Sequence, residues 1–201
     1  MSNVSKDIQW LKQYCPNTFE INVSPLRLLE TTVYLAGPID RCPNLGVEWR
    51  KRFQTKLEDK YKCRVYNPMD KPTSLGDETP EGREKRRQLK RAGLYDEFAS
   101  EIENVVHIDL RMIDKSDFII LYIDTDIHMC GTYWEAVVSA WERKPIIIWC
   151  EQGKIGIPDW LFGVLPHKLF FSTEDEVFNY LDHIHNEKEI DDARRWLFFQ
   201  K

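Results

Sequence analysis

From residue 31 to residue 185, short apolar runs alternate with longer stretches of helical period, and this alternation narrows the fold more than any other feature. Thr31–Ala36, Asp117–Ile123 and Lys144–Trp149 are β-branched and apolar, as strands are. The last of these is nearly all apolar, which predicts burial on both faces, the usual situation in a parallel sheet. Cys63–Tyr66 and Lys168–Phe171 are shorter strand candidates. Strands that alternate with helices join by right-handed crossovers into one parallel sheet. The pattern therefore predicts an α/β fold: a doubly wound, mostly parallel five-stranded sheet with helices on both faces, flavodoxin- or Rossmann-like.

The helices are read from spacing. Asn44–Lys60 offers Val47, Phe53 and Leu57 as an apolar stripe, with Trp49 at its edge. Tyr95–Ser116 carries Phe98, Ile102, Val105, Val106, Leu110 and Ile113 at helical spacing. Another helix opens near Gly131 and runs to about Trp141. Residues 67–82 are dense in Pro, Gly, Asp, Thr and Ser, which predicts a long loop of the functional or mobile kind. Thr79 can cap the helix that follows, and Pro80 suits its first position. The charge run Arg83–Arg91 on that helix reads first as a solvated face, and second as a basic patch for a phosphate or a partner. Pro158–Gly163 is a loop or short helix. Ser172 is expected to cap a last helix reaching His185, with Glu174 and Glu176 in its first turns and Asp175 completing a capping box.

Residues 1–30 form an N-terminal extension with a short helix over Asp7–Tyr14, and residues 31–185 form the domain. Residues 186–201 are a tail whose Trp196–Phe199 would pack on something, such as another subunit.

A hydrophobic fraction of 42% in 201 residues suffices for a real core. The net charge of -5 argues against nucleic acid held by bulk electrostatics, though not against a small anion in a local pocket. No apolar run approaches a membrane span, and the polar N-terminus lacks a signal peptide's apolar region. The five cysteines are scattered, without a CxxC pair or zinc-ligand spacing against the five histidines. Reduced cysteines, a cytoplasmic location, no membrane and no metal or other cofactor are the expectations. His183 and His185, two residues apart, read as surface residues rather than a metal pair.

Three places carry chemistry. Cys130–Ala136 follows the Asp117–Ile123 strand, and ligands of open α/β sheets gather outside the carboxyl ends of strands. Glu135 there is either a helix-start charge answering the macrodipole or a catalytic group. The turn Gly37, Pro38, Ile39, Asp40, Arg41 follows the first strand, and its glycine lets backbone approach a ligand closely. It is neither a GxGxxG fingerprint nor a loop ending in GK[ST], which argues against a dinucleotide or nucleoside triphosphate bound through those devices. Asp109 sits among Val105, Val106, Ile108, Leu110, Met112 and Ile113, either on a polar face or held for a purpose. Two carboxylates over a ligand suit glycosyl chemistry, one at the anomeric carbon and one handling a proton. No GxSxG elbow is present, and Cys130 has no oriented histidine beyond the nearby His128.

On these blocks the chain resembles the nucleoside 2-deoxyribosyltransferase family, whose relatives include nucleoside 5′-monophosphate N-glycosidases. Val33–Ile39 resembles the family's opening strand and loop. Asp109 stands eight residues before Asp117, as the family's site aspartate does. Gly131, Thr132 and Glu135, followed by Ala140 and Lys144–Ile146, resemble its GTxxE and KPI pattern. The resemblance covers roughly residues 31–185. It implies that Glu135 attacks C1′ of a 2′-deoxynucleoside and releases the base, after which a second base or water collects the sugar. Asp109 would assist proton transfer, and Tyr34 and Gly37 would shape the pocket. Pro38, Ile39, Gly131 and Thr132 would line the substrate, Asp70 would meet a base edge, and Arg41 would face solvent or a 5′-phosphate. The partners it implies are a nucleoside or nucleotide, a free base and other copies of the chain in a homo-oligomer. Met129 departs from the family: many transferases carry aspartate there, and relatives acting on monophosphates often carry serine. A 5′-monophosphate hydrolase and a non-catalytic nucleotide-binding module are the alternatives.

Overall fold

Five strands pair side by side, all parallel, in a computed structural model that describes residues 26–187 apart from Pro43, together with Trp196. The expected helix over Asp7–Tyr14 and most of the tail lie outside the described residues. The strands are β1 (Thr32–Ala36), β2 (Arg64–Tyr66), β3 (Phe118–Ile123), β4 (Ile146–Cys150) and β5 (Phe170–Phe171), in the order β2-β1-β3-β4-β5. Among the described residues six α-helices connect or flank them: α1 (Val47–Tyr61), α2 (Pro80–Arg91), α3 (Tyr95–Lys115), α4 (Cys130–Trp141), α5 (Asp159–Val164) and α6 (Glu174–Asn186). This is the doubly wound parallel architecture that the alternation predicts. The order reverses between β1 and β3, where such sheets leave a crevice.

Side chains alternate along each strand, so one sheet supplies two cores. On one face Val33, Leu35, Phe118, Ile120, Ile147 and Trp149 pack with α1 and α6. On the other Tyr34, Ala36, Ile119, Leu121, Ile146 and Ile148 pack with α3, α4 and α5. β3 and β4 are buried at every position, as their uninterrupted apolar runs predict.

The apolar stripe of α1 is Trp49, Phe53, Leu57 and Tyr61, a strict fourfold spacing. Val47 is therefore exposed at the helix start, contrary to expectation, while Trp49 goes to the core and contacts the rings of Tyr122, Phe53 and Trp149. Its indole explains Gly37, since a Cβ there would stand 2.6 Å from the Trp49 ring.

Thr79 caps α2 as predicted, accepting from the Gly82 amide with Pro80 in first position. The cap of α6 lies one residue later than expected. Thr173 accepts from the Glu176 amide at 3.2 Å, and Glu176, not Asp175, reaches back to accept from the Ser172 amide at 2.7 Å. At the carboxyl end of α3 the Lys144 ammonium donates to the carbonyls of Ile113, Asp114 and Ser116, tying that helix to the start of β4.

Two further expectations change. His185 is buried rather than on the surface, because its Nδ1 accepts from the Leu28 amide at 3.3 Å; burial lowers its pKa, in keeping with a neutral ring. His183 remains exposed. Trp196 is buried within the same chain, 5.2 Å from the Phe118 ring and 3.1 Å from the Tyr180 hydroxyl. The four described cysteines are free. Among the described residues no helix is long and apolar enough to cross a membrane.

Candidate functional site

A cavity of about 630 Å³ opens among the turn after β1 and helices α2, α3 and α4. It lies at the β1/β3 switch, where β1 ends at Ala36 beside Leu121. Gly37, Ile39, Asp109, Gly131, Thr132 and Glu135 line it, which unites most of the residues singled out from the sequence.

Glu135 is the sixth residue of α4, past the first turn, and that helix makes no side-chain cap bond. A role as a helix-start charge is therefore not what holds it there. It faces β1, where the fully buried Tyr34 hydroxyl donates to its Oε1 at 2.7 Å. Burial is the main reason the Glu135 pKa is pushed up to about 8, and the charge of Asp109 adds to it. The Tyr34 hydrogen bond and the Arg50 guanidinium pull the other way. Tyr34 itself is raised well above its usual value, first by burial and then by Glu135, so it stays a neutral donor.

Asp109 is 8% exposed, which settles its reading in favour of a group held in place. The Lys71 ammonium stands 2.5 Å from its Oδ1 and 2.6 Å from Glu78 Oε2, with the lysine side chain only 3% exposed. Burial, then the neighbouring Glu78 charge, push Asp109 up to about 7 against the pull of Lys71. The inner cluster thus has three carboxylates, Glu78, Asp109 and Glu135, facing two cations, Lys71 and Arg50. The excess of negative charge adds to burial in raising both Asp109 and Glu135.

Arg50 is fully buried and has only carbonyls for hydrogen-bond partners among the described residues. Its Nε donates to Leu35, Nη2 donates to Gly37, and Nη1 reaches Pro38, Leu45 and Gly46. Gly46 makes this possible: it has φ 66°, and a Cβ would stand 2.3 Å from the guanidinium. The clamp fixes both ends of the turn after β1.

The α2 side is basic. Arg83, Arg86, Arg87 and Lys90 all line the cavity, and Arg83 and Arg86 are buried. Arg83 pairs with Asp40 at 3.2 Å, while Arg86 donates to the Asp77 carbonyl. This corrects the solvated-face reading of the charge run. Facing these cations, α3 contributes an apolar wall of Phe98, Ile102, Val105, Val106 and Leu110.

Four residues named from the sequence do not line the cavity: Tyr34 lies fully buried behind Glu135, and the other three are Arg41, Asp70 and Pro38. Arg41 is exposed on the outer part of the turn. Asp70 is exposed and accepts from Asn67 Nδ2 at 3.2 Å within a short turn of helix over Pro68–Asp70. Pro38 contributes its carbonyl to Arg50 rather than a surface to the pocket. Lys71, the next residue after Asp70, and Glu78 take part instead. Both come from the loop read only as long, and the one available signal was its isolated charges among turn residues. Cys130 and His128 also line the cavity without a hydrogen bond between them. Among the described residues no group of three or more His, Cys, Asp or Glu side chains is placed to hold a metal ion.

No protein-family model matches the sequence, and no curated protein matches it.

Proposed function

We propose that the protein cleaves the N-glycosidic bond of a 2′-deoxynucleoside or its nucleotide and passes the sugar to a second base. The observation that carries this is Glu135: a partly buried carboxylate at the cavity wall, held through one oxygen by Tyr34, in a cavity it shares with the buried Asp109. Tyr34 occupies Oε1, so Oε2 is the oxygen that attacks C1′. The C1′–N bond breaks as the new C1′–O bond forms, and its electron pair leaves on the base. A proton held by the Glu135–Asp109 pair goes to the departing base from Asp109. A second base then attacks C1′, returns the pair to Glu135 and hands its proton to Asp109. The oxocarbenium-like character of the transition state favours an ionised Glu135 at the moment of attack, which offsets its raised pKa.

A second copy of the chain is the proposed partner. Trp134, Val137 and Trp141 are 61%, 47% and 88% exposed along one side of α4, and Trp134 also lines the cavity mouth. Sedimentation at micromolar concentration tests this, and a monomer there removes it.

The test of the chemistry is an intact-mass measurement after mixing with a deoxynucleoside. A deoxyribosyl adduct that maps to Glu135 is expected, together with a new nucleoside when a different free base is supplied. Free deoxyribose in place of a new nucleoside assigns water as the acceptor. Full activity in Glu135→Ala refutes the mechanism.

A further inference from the structure

Helix α2 brings four cations to the cavity that the glycosyl chemistry does not use: Arg83, Arg86, Arg87 and Lys90. They stand at i, i+3, i+4 and i+7, on one face of the helix. At 1.5 Å per residue the row is roughly 10 Å long. It is poorly neutralised. Arg83 meets Asp40, a side chain that is 82% exposed, and Arg87 has Glu84 at 3.7 Å on the helix surface. Arg86 donates to the Asp77 carbonyl and feels the Asp77 carboxylate, which is itself engaged by Thr79, and Lys90 stands 4.3 Å over the Phe98 ring. The inner carboxylates Glu78 and Asp109 are taken by Lys71. Arg83 and Arg86 are 7% and 8% exposed, so the fold holds two desolvated guanidinium groups at a cavity wall without a full set of counter-charges. An anion that entered would complete them.

We propose that the site takes its nucleoside as a 5′-di- or triphosphate, with the phosphates lying along α2. A single phosphate spans two neighbouring side chains of such a row and brings at most two charges. Two or three phosphates in line match both the length of the row and its surplus charge. Guanidinium forks bind phosphate oxygens in pairs, and here they stand in for the glycine-rich loops that the sequence lacks. The apolar wall of α3 is left for the base, and a cavity of about 630 Å³ has room for both. This rests on the proposed function only in setting the sugar against Glu135.

Binding is measured by calorimetry on Glu135→Gln protein, which separates recognition from turnover. The probes are the four 2′-deoxynucleosides and their 5′-mono-, di- and triphosphates. Affinity for a di- or triphosphate should exceed that for the parent nucleoside and its monophosphate by about tenfold or more, and should fall as salt rises. Arg87→Gln combined with Lys90→Gln, both exposed positions, should remove about tenfold of that affinity with the melting temperature retained. Equal affinity for nucleoside, monophosphate and triphosphate, no binding by any of them, or an undiminished triphosphate affinity in the double variant overturns the proposal. So does a single-stranded oligonucleotide that binds more tightly than the triphosphates. Failure of the glycosyl chemistry shows up separately, as turnover by Glu135→Ala.

Discussion

Replacing Glu135 by glutamine should abolish activity and stabilise the fold. The glutamine keeps an Oε1 acceptor for the Tyr34 hydroxyl and removes only the ionisable group. Burial raises the Glu135 carboxyl from an ordinary 4.5 to about 8, so the folded chain favours its protonated form. The stability this group contributes is full below about pH 4.5 and is lost as pH climbs through about 8. At about 1.4 kcal/mol per pH unit the whole interval corresponds to about 5 kcal/mol. Solvent reaching the carboxylate from the cavity, and the proton shared with Asp109, reduce this to about 2 kcal/mol. For a chain of this size that is a rise of roughly 4–8 °C in melting temperature. The assay is thermal unfolding of wild type and variant from pH 5 to pH 9. The gap in melting temperature should be small at pH 5 and widen in favour of the variant through pH 8. A constant gap, or a variant less stable than wild type at pH 8, would refute the buried-charge account.

Tyr34→Phe removes the hydrogen bond that holds the Glu135 pKa down, so the acidic limb of the kcat/KM profile should move to higher pH and kcat should fall about tenfold; an unmoved profile contradicts the role given to Tyr34. Lys71→Met leaves Glu78 and Asp109 facing each other without their ammonium and should cost about 3 kcal/mol in urea unfolding at pH 8, with less lost at pH 5, below the raised pKa of Asp109. Adding Glu78→Gln should restore part of that stability, and additive losses in the double variant would show that the two carboxylates do not share the ammonium. Gly37→Ala should cost about 1–3 kcal/mol through contact with Trp49, seen as a lowered urea midpoint at unchanged slope.

The fold was legible because its signals are local. Apolar runs mark β3 and β4, the Thr79–Pro80 pair marks the start of α2, and alternation supplies the parallel topology. Glu135 and Asp109 were legible as candidates because a strand end and apolar surroundings make a carboxylate conspicuous, whereas Tyr34 entered only through the family resemblance. Lys71 and Glu78 were not, since the bond from Lys71 to Asp109 spans 38 residues and nothing periodic in the loop announces it. Arg83 and Arg86 were hidden differently. Their spacing of three is the signal of a shared helix face, but the surrounding charges made the whole stretch look solvated. Arg50 sits among other charged residues of α1, and its partners are carbonyls, which every residue possesses.

That last property of Arg50 bears on how a site of this kind can diverge. The clamp reads only main-chain oxygens, so side chains at Leu35, Pro38 and Leu45 can drift without loosening it. Lysine cannot replace the arginine, because a single ammonium cannot reach the ground covered by the guanidinium fork. A lineage built on this scaffold could thus rewrite the residues that greet its substrate while the turn beneath them keeps its shape. Descent would then be recorded in the path of the backbone long after it had faded from the order of the letters.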